Sequence, residues 1–419
     1  MLRDLFQAAL DAVDPLNVLP PYLRRAHAEH RASPNTRLGH TVVLGAGKAA
    51  ARMALAVEQH WPQPVAGLVV TRYGHDAPCK HIEVIEAGHP VPDDQGQIAA
   101  QRMLAWAHTL TENDLVLCLI SGGGSALLTL PAPGISAEEK REINKALLAS
   151  GANISEINCV RRHLSAIKGG KMGAACGAAA VITFIISDVP GDDAATVASG
   201  PTIESKSSSA DAAEILQRYR IHTSAAVQAV LNTALPVASE NLGAREHCII
   251  TTAQHALDAA AKKARSFGLS PLILGGSIEG ESRDVAAVHA GIARQIRQHG
   301  QPCTTPCVIL SGGETTVTVQ GDGRGGRNAE FLLALTINAH DVPGLHALAC
   351  DTDGIDGVED NAGAKMDPTT RQRAELAGLD ARDYLQRNDA YNYFLQLDDL
   401  IFTGPTRTNV NDFRALLIS

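Results

Sequence analysis

Short apolar runs recur along the chain, and between most of them the apolar positions fall three and four residues apart. The runs at 41–45, 67–71, 115–120 and 180–186 predict strands, as do those at 247–251, 271–274, 306–311, 315–319, 345–350 and 399–402. The helical spacing predicts helices over 47–60, 94–110, 136–150, 254–267, 281–299 and 327–339. A run such as LVLCLI has no polar alternation, which suits a strand covered on both faces. Alternation of strands and helices therefore predicts an α/β protein built on parallel sheets.

A polar stretch, IESKSSSAD at 203–211, and the later LPVASENLGAREH place a domain boundary near residue 238. The expected domains are 1–238 and 239–419, each long enough for its own core. The closing LIFTGPTRTNV reads as a further strand and loop facing a site, so the C-terminal segment is free to pack back on the first domain. No fixed-period repeat is visible, but CLISGGGSALL and VILSGGETTVTV echo each other as strands ending in Ser-Gly-Gly.

Composition narrows the function class. Of 419 residues, 45% are hydrophobic and only 4% aromatic, while 37 are glycine, which suits α/β packing with close backbone approaches. The net charge of −9 and the lack of any long basic run argue against a nucleic-acid surface. The opening MLRDLFQAALDAVDP carries charges inside its apolar pattern and reads as an amphipathic helix, not a signal peptide. The longest apolar stretch, AAAVITFII, is too short to span a bilayer, so no membrane partner is expected. The eight cysteines are scattered, mostly in apolar runs, with no doubled Cys-x-x-Cys; structural zinc is not expected, and a reducing cytoplasm is.

Ligands in open α/β sheets sit at the carboxyl ends of strands. The residues found there are Gly45-Ala46-Gly47-Lys48, Thr71-Arg72-Tyr73-Gly74-His75 and Ser121-Gly122-Gly123-Gly124-Ser125. They continue with Ser187-Asp188 and Asp192-Asp193, then Ser311-Gly312-Gly313-Glu314 and Asp351-Thr352-Asp353-Gly354. Glycine-rich turns let several backbone N–H groups converge on an anion, although a tight turn needing positive φ explains any single one equally well. Gly45, Gly47 and Ala50 fit a dinucleotide turn, yet the second predicted strand ends in Thr71 and Arg72 with no acid for ribose hydroxyls. Lys48 is the second clue: a cation at a helix start opposes the dipole unless an anion compensates it. Asp192, Asp193 and Asp351 are hard oxygen donors suited to Mg²⁺ beside phosphates, with turn formation as the plain alternative. In GDGRGGRNAEF, Arg324 and Arg327 have the fork geometry for phosphate or carboxylate, and Asn328 and Glu330 are close enough to orient them. No Walker-type, protein-kinase or Gly-x-Ser-x-Gly pattern is present.

At these residues the sequence resembles the glycerate 2-kinase family, also called the MOFRL family, some of whose members carry a hydroxypyruvate reductase label. The matching segments include VVLGAGKAAARMA, LISGGGSALL, INCVRRHLSAIKGGK, IISDVPGDDAATVASGPT, LSGGETTVTVQGDGRGGRNAEF, DTDGIDG and TGPTRTNVNDFRALLI. The resemblance implies a Rossmann-like parallel-sheet N-terminal domain, a smaller α/β C-terminal domain with a mixed sheet, and a site in the cleft between them. It implies ATP- and Mg²⁺-dependent phosphorylation of D-glycerate to 2-phospho-D-glycerate. Carried over by motif, Lys48 and Arg327 are the first catalytic candidates and Asp188 a further one. The loops around Gly45, Gly47, Ser121–Ser125 and Ser311–Glu314 are the nucleotide- or substrate-binding candidates. One departure is Gly276, in LGGSIEGES, where relatives often carry an acid. Two other readings stay open: an NAD(P)H-dependent hydroxypyruvate reductase and a non-catalytic sugar-acid-binding protein. The missing acid after the second strand counts against the first, and the density of acids beside the loops against the second. A homodimer is compatible with the sequence.

Overall fold

A computed structural model describes residues 1–32, 39–233 and 242–419; the boundary expected near 238 lies outside them. Two compact units are present. One comprises Val18–Ser187 with Asp193–Ile250, the other Met1–Asn17, Asp188–Asp192 and Thr251–Ser419.

The first unit is built on β1 (Thr41–Ala46), β2 (Val65–Arg72), β3 (Ile82–Ala87), β4 (Leu115–Ile120), β5 (Ala180–Ile186) and β6 (Arg245–Thr251). They form a six-stranded sheet in the order β3-β2-β1-β4-β5-β6, the order of doubly wound folds. β1 is parallel to both β2 and β4, with Ala46 level with Val70 and Ile120. The chain reverses its direction of travel across the sheet at β1, so the loops after β1 and β4 leave side by side. Every residue of β1 and β4 is buried, as their unbroken apolar runs predicted. The helix expected from residue 47 starts at Ala50, because residues 47–49 form a turn first. β3 was not expected: IEVIEA intersperses glutamates that remain partly exposed at the sheet edge.

The second unit contains β7 (Ser270–Glu281), β8 (Cys307–Thr316), β9 (Leu345–Asp351), β10 (Gly363–Met366), β11 (Leu400–Ile401) and β12 (Asp412–Ile418). Their order is β11-β10-β9-β12-β8-β7. β7 and β8 are parallel, while β12 runs antiparallel to both β8 and β9, so this sheet is mixed. The last strand of the chain thus occupies the middle of the sheet, and Asp412 comes level with both Gly313 and Asp351. Helices Ser282–His299 and Arg327–Asn338 bury Ala286, Ala290, Phe331 and Leu335 against Ile309, Ala347 and Leu416. Helix Leu2–Val13 packs on helix Ala253–Ser266.

The break expected between residues 311 and 315 is absent, because Ser311–Glu314 continue β8. Gly313 makes this feasible: its φ is +127°, and a side chain there would overlap the backbone of Ile278 in β7. The two Ser-Gly-Gly segments therefore differ in structure, the first a loop after β4 and the second a stretch of strand. No helix among the described residues is long and apolar enough to cross a membrane.

Candidate active site

In the first unit the loops after β1 and β4 are bound to each other. The Lys48 N–H donates to the Gly122 carbonyl at 2.9 Å, and the Ala49 N–H to Ser121 Oγ at 3.0 Å. Gly47 has φ +137°, and any side chain on it would overlap Ser121. Gly45 lies within β1, where a side chain would overlap the Leu119 backbone of β4; its task is close strand packing. Gly123 (φ +79°) is so crowded that a Cβ would come within 3.1 Å of the His89 ring and 3.2 Å of Lys48 Cγ. The half-buried Lys48 side chain therefore lies along the glycine loop. The N–H groups of Gly122 and Gly123 donate to no group among the described residues, whereas that of Gly124 is spent on Ser121 O at 3.3 Å. Two adjacent unspent donors beside a lysine are the arrangement that an anion nest requires. Ser125, at the end of the loop, places its hydroxyl 2.9 Å from that of Ser199.

In the second unit the centre is Arg327, at the start of helix Arg327–Asn338. Its guanidinium bonds Asp412 Oδ1 at 2.6 Å, Asp351 Oδ2 at 2.9 Å and Glu314 Oε1 at 3.1 Å. Burial works against its charge, but these three carboxylates overcome that cost and hold its pKa well above the ordinary arginine value. Asn328 Nδ2 shares Asp412 Oδ1 at 2.8 Å, and Arg414 takes the other Asp412 oxygen. Asp412 is fully buried; against the effect of burial, Arg327 and Arg414 keep its carboxyl below the usual range. The network reaches Asp188 through β12's preceding loop: Asn409 Nδ2 donates to Asp188 Oδ2 at 2.9 Å, and Asn411 bonds the Asp188 carbonyl and Glu314 Oε2, the latter at 3.5 Å. Asp188, Glu314, Arg327 and Asp351 are thus brought together; Asp188 follows β5 and Asp351 closes β9, whereas Glu314 lies within β8 and Arg327 opens a helix.

Other expected residues take different tasks. Arg324 turns away to pair with Glu359 and lies 4.3 Å over the Tyr391 ring. Glu330 holds Arg283, at 2.7 Å, rather than Arg327. Ser311, Gly312 and Gly313 pair in register with Arg414, Phe413 and Asp412, which commits this stretch to the sheet. The Ser311 hydroxyl is 2.9 Å from His289 Nε2, and His289 Nδ1 is 2.8 Å from the Val285 carbonyl. A carbonyl only accepts, so Nδ1 carries the proton and Nε2 accepts from Ser311.

Residues 1–232 match the family described as a domain of unknown function (DUF4147), and residues 307–412 match the MOFRL family. A D-glycerate 2-kinase from Thermotoga maritima is 39% identical over 381 residues, covering 90% of this chain and 91% of its own. The crystal structure of a glycerate kinase from the same organism superposes with a TM-score of 0.87 at 36% identity, covering 99% of this chain and 98% of that one. This chain belongs to the glycerate 2-kinase (MOFRL) family. A further relative, from Agrobacterium vitis, is 48% identical over 100% of this chain and 94% of its own, and is named provisionally as a hydroxypyruvate reductase.

The three carboxylates expected to hold a metal have different local settings. Asp351 gives one oxygen to Arg327 and the other to the Asp353 N–H at 3.0 Å. Asp193 spends both oxygens on its own turn, on the Ala195 N–H at 3.2 Å and Thr196 Oγ1 at 2.8 Å. Asp192 is exposed at φ +53°. Among the described residues no group of three or more His, Cys, Asp or Glu side chains is arranged to hold a metal. Gly276, the departure from the family pattern, lies in β7, where a Cβ would come within 3.0 Å of Ala253 Cβ.

Sequence reasoning did not single out Asp412, which lies 85 residues from Arg327 in the chain, although the matching segment TGPTRTNVNDFRALLI contains it. It also passed over Lys168, buried with its ammonium 2.6 Å from the Ser125 carbonyl. The Arg161-Arg162 pair beside it in sequence was the available signal.

Proposed function

We propose that this chain is a D-glycerate 2-kinase, which transfers the γ-phosphoryl group of ATP to the C2 hydroxyl. The observation that carries the reading is the pair of unspent N–H groups at Gly122 and Gly123 beside Lys48, in a family with a relative named D-glycerate 2-kinase. A dinucleotide reductase is less well supported, because β2 ends at Arg72 where a ribose-binding acid belongs.

The hydroxyl oxygen attacks the γ-phosphorus, the bond from phosphorus to the β–γ bridging oxygen breaks, and ADP leaves with that electron pair. The hydroxyl proton passes to Asp188, whose carboxylate Asn409 orients from 2.9 Å. Lys48 and Arg327 stabilise the charge on the equatorial oxygens of the group in flight. Glu314, about half exposed, is the Arg327 partner that phosphoryl oxygens displace, while buried Asp412 and Asp351 keep the guanidinium aimed.

Mg²⁺ with a nucleotide is commonly held by one or two carboxylates plus phosphate oxygens and water, so it does not require a cluster of three acids. Asp192, Asp193 and Asp351 are the proposed holders, and the ion would neutralise phosphate charge. The reading is tested by ADP release from ATP and Mg²⁺ with and without D-glycerate. Dependence on D-glycerate supports it. NADH oxidation by hydroxypyruvate without any ADP release would overturn it.

A further inference from the structure

Two lysines in the first unit are buried and a third is half-buried, none paired with an acid among the described residues. Lys140 is 5% exposed and Lys168 3%, and Lys171 is the half-buried one. None of them, nor Arg161 or Arg162, forms an ion pair with a carboxylate among the described residues. Burying cations without counter-charge is costly, and a fold retains such a cluster only if something offsets it.

The cations differ in how their donors are used. Lys171 is saturated, with its ammonium bonded to the carbonyls of Arg162, His163 and Ser165. Lys140 donates to the Leu130 carbonyl at 3.4 Å. Lys168 instead reaches Ser125, the last residue of the glycine loop, bonding its carbonyl at 2.6 Å and its hydroxyl at 3.1 Å. That hydroxyl meets Ser199. Ser199 and the preceding Ala198 both adopt positive φ, 61° and 52°, followed by Gly200 at 59°. Successive non-glycine residues in this region store strain, a feature that gathers at ligand sites. Arg162 adjoins the same turn: its Nη1 reaches the Ala195 carbonyl at only 3.5 Å, and its buried Nε has no partner among the described residues.

We propose that Lys168, Arg162 and the hydroxyls of Ser125 and Ser199 form an oxyanion site for the reacting pair, taking the carboxylate of the three-carbon acid or a phosphate of the nucleotide. The proposal rests on the kinase reading for the identity of the ligand, not for the site itself. Two hydroxyls, an ammonium and an unspent guanidinium N–H supply donors to oxygen and no negative charge to repel it. Burial first, and then Lys140 and Arg161, push the Lys168 pKa well below the ordinary lysine value, and a bound anion would oppose that shift.

The test is calorimetric titration of the full chain with D-glycerate, ADP and inorganic phosphate separately, for wild type, Lys168→Met, Lys168→Arg and Ser199→Ala. Lys168→Met is expected to weaken one of the first two ligands by about 30-fold or more. Loss of D-glycerate alone assigns the carboxylate, and loss of ADP alone the phosphate. Its thermal midpoint is expected to equal or exceed that of wild type, because an unpaired buried charge has been removed. Lys168→Arg should retain binding within about tenfold, and Ser199→Ala should weaken the same ligand about fivefold. Binding of all three probes within about twofold of wild type in Lys168→Met overturns the proposal, as does a wild type that binds none of them. A Lys168→Met chain that fails to fold assigns Lys168 a structural role and overturns it too. Failure of the kinase reading shows separately: wild type releases no ADP, yet inorganic phosphate still binds wild type and not Lys168→Met.

Discussion

Arg327 Nε lies 2.6 Å from Asp412 Oδ1, joining the start of a helix to the start of the central strand β12. The same carboxylate carries Asn328 and Arg414, so one buried acid fixes two arginines and an amide. Asp412→Ala should lower stability by about 3–5 kcal/mol, since it leaves buried cations unpaired. Urea denaturation measures this. Asp412→Asn should fold better than the alanine variant yet still lose kcat, because its amide cannot match the charge that aims Arg327.

Lys48→Ala should reduce kcat on the order of 10²–10³-fold with the thermal midpoint unchanged, because the half-buried side chain lies along the loop rather than in the core. Steady-state kinetics beside a melting curve checks both halves. A variant with wild-type turnover removes the role assigned to Lys48.

Gly47→Ala tests the join between the two loops. With φ at +137° and Ser121 directly behind it, the added methyl should displace the Ser121 loop and cost about 1–3 kcal/mol. The KM for ATP should rise together with this loss. Gly151→Ala is the comparison, since its φ is also positive (+80°) but no atom lies within 4 Å of the new Cβ; it should leave KM unchanged.

His289 predicts a pH dependence. Burial, with Arg414 adding to it, lowers its pKa from 6.5 to about 4, against the opposing bond to the Val285 carbonyl. A depressed folded-state pKa means that its contribution is complete above pH 6.5 and is lost as the pH falls through 4. The loss amounts to about 3 kcal/mol. His289→Gln should flatten the fall in stability across that window, as measured by urea titrations at several pH values.

The sequence made the first sheet readable because β1, β2, β4 and β5 contain unbroken apolar runs between glycine turns. β3 escaped because Glu83 and Glu86 break its apolar run; one pairs with Arg102 and the other accepts from the Gly74 N–H at 2.6 Å. β12 escaped because DFRALLI places Asp412 and Arg414 in a buried strand, where their mutual pairing replaces hydrophobic burial. The glycines of 312–313 suggested a turn, but they serve close approach of β7 to β8. Within the site, Lys48 and Arg327 were legible from unusual charges among glycines. Asp412 and Lys168 were not, because partners distant in sequence and the burial of a lysine leave no periodic trace.

The central claim is phosphorylation at C2, and the most direct measurement couples the reaction to enolase alone. With D-glycerate, ATP and Mg²⁺ present, phosphoenolpyruvate should form at once without any added phosphoglycerate mutase, and Lys48→Ala should slow its formation on the order of 10²–10³-fold. Signal that appears only after mutase is supplied would place the phosphate on C3 and contradict the account, and no phosphoenolpyruvate under either condition would contradict the kinase reading itself.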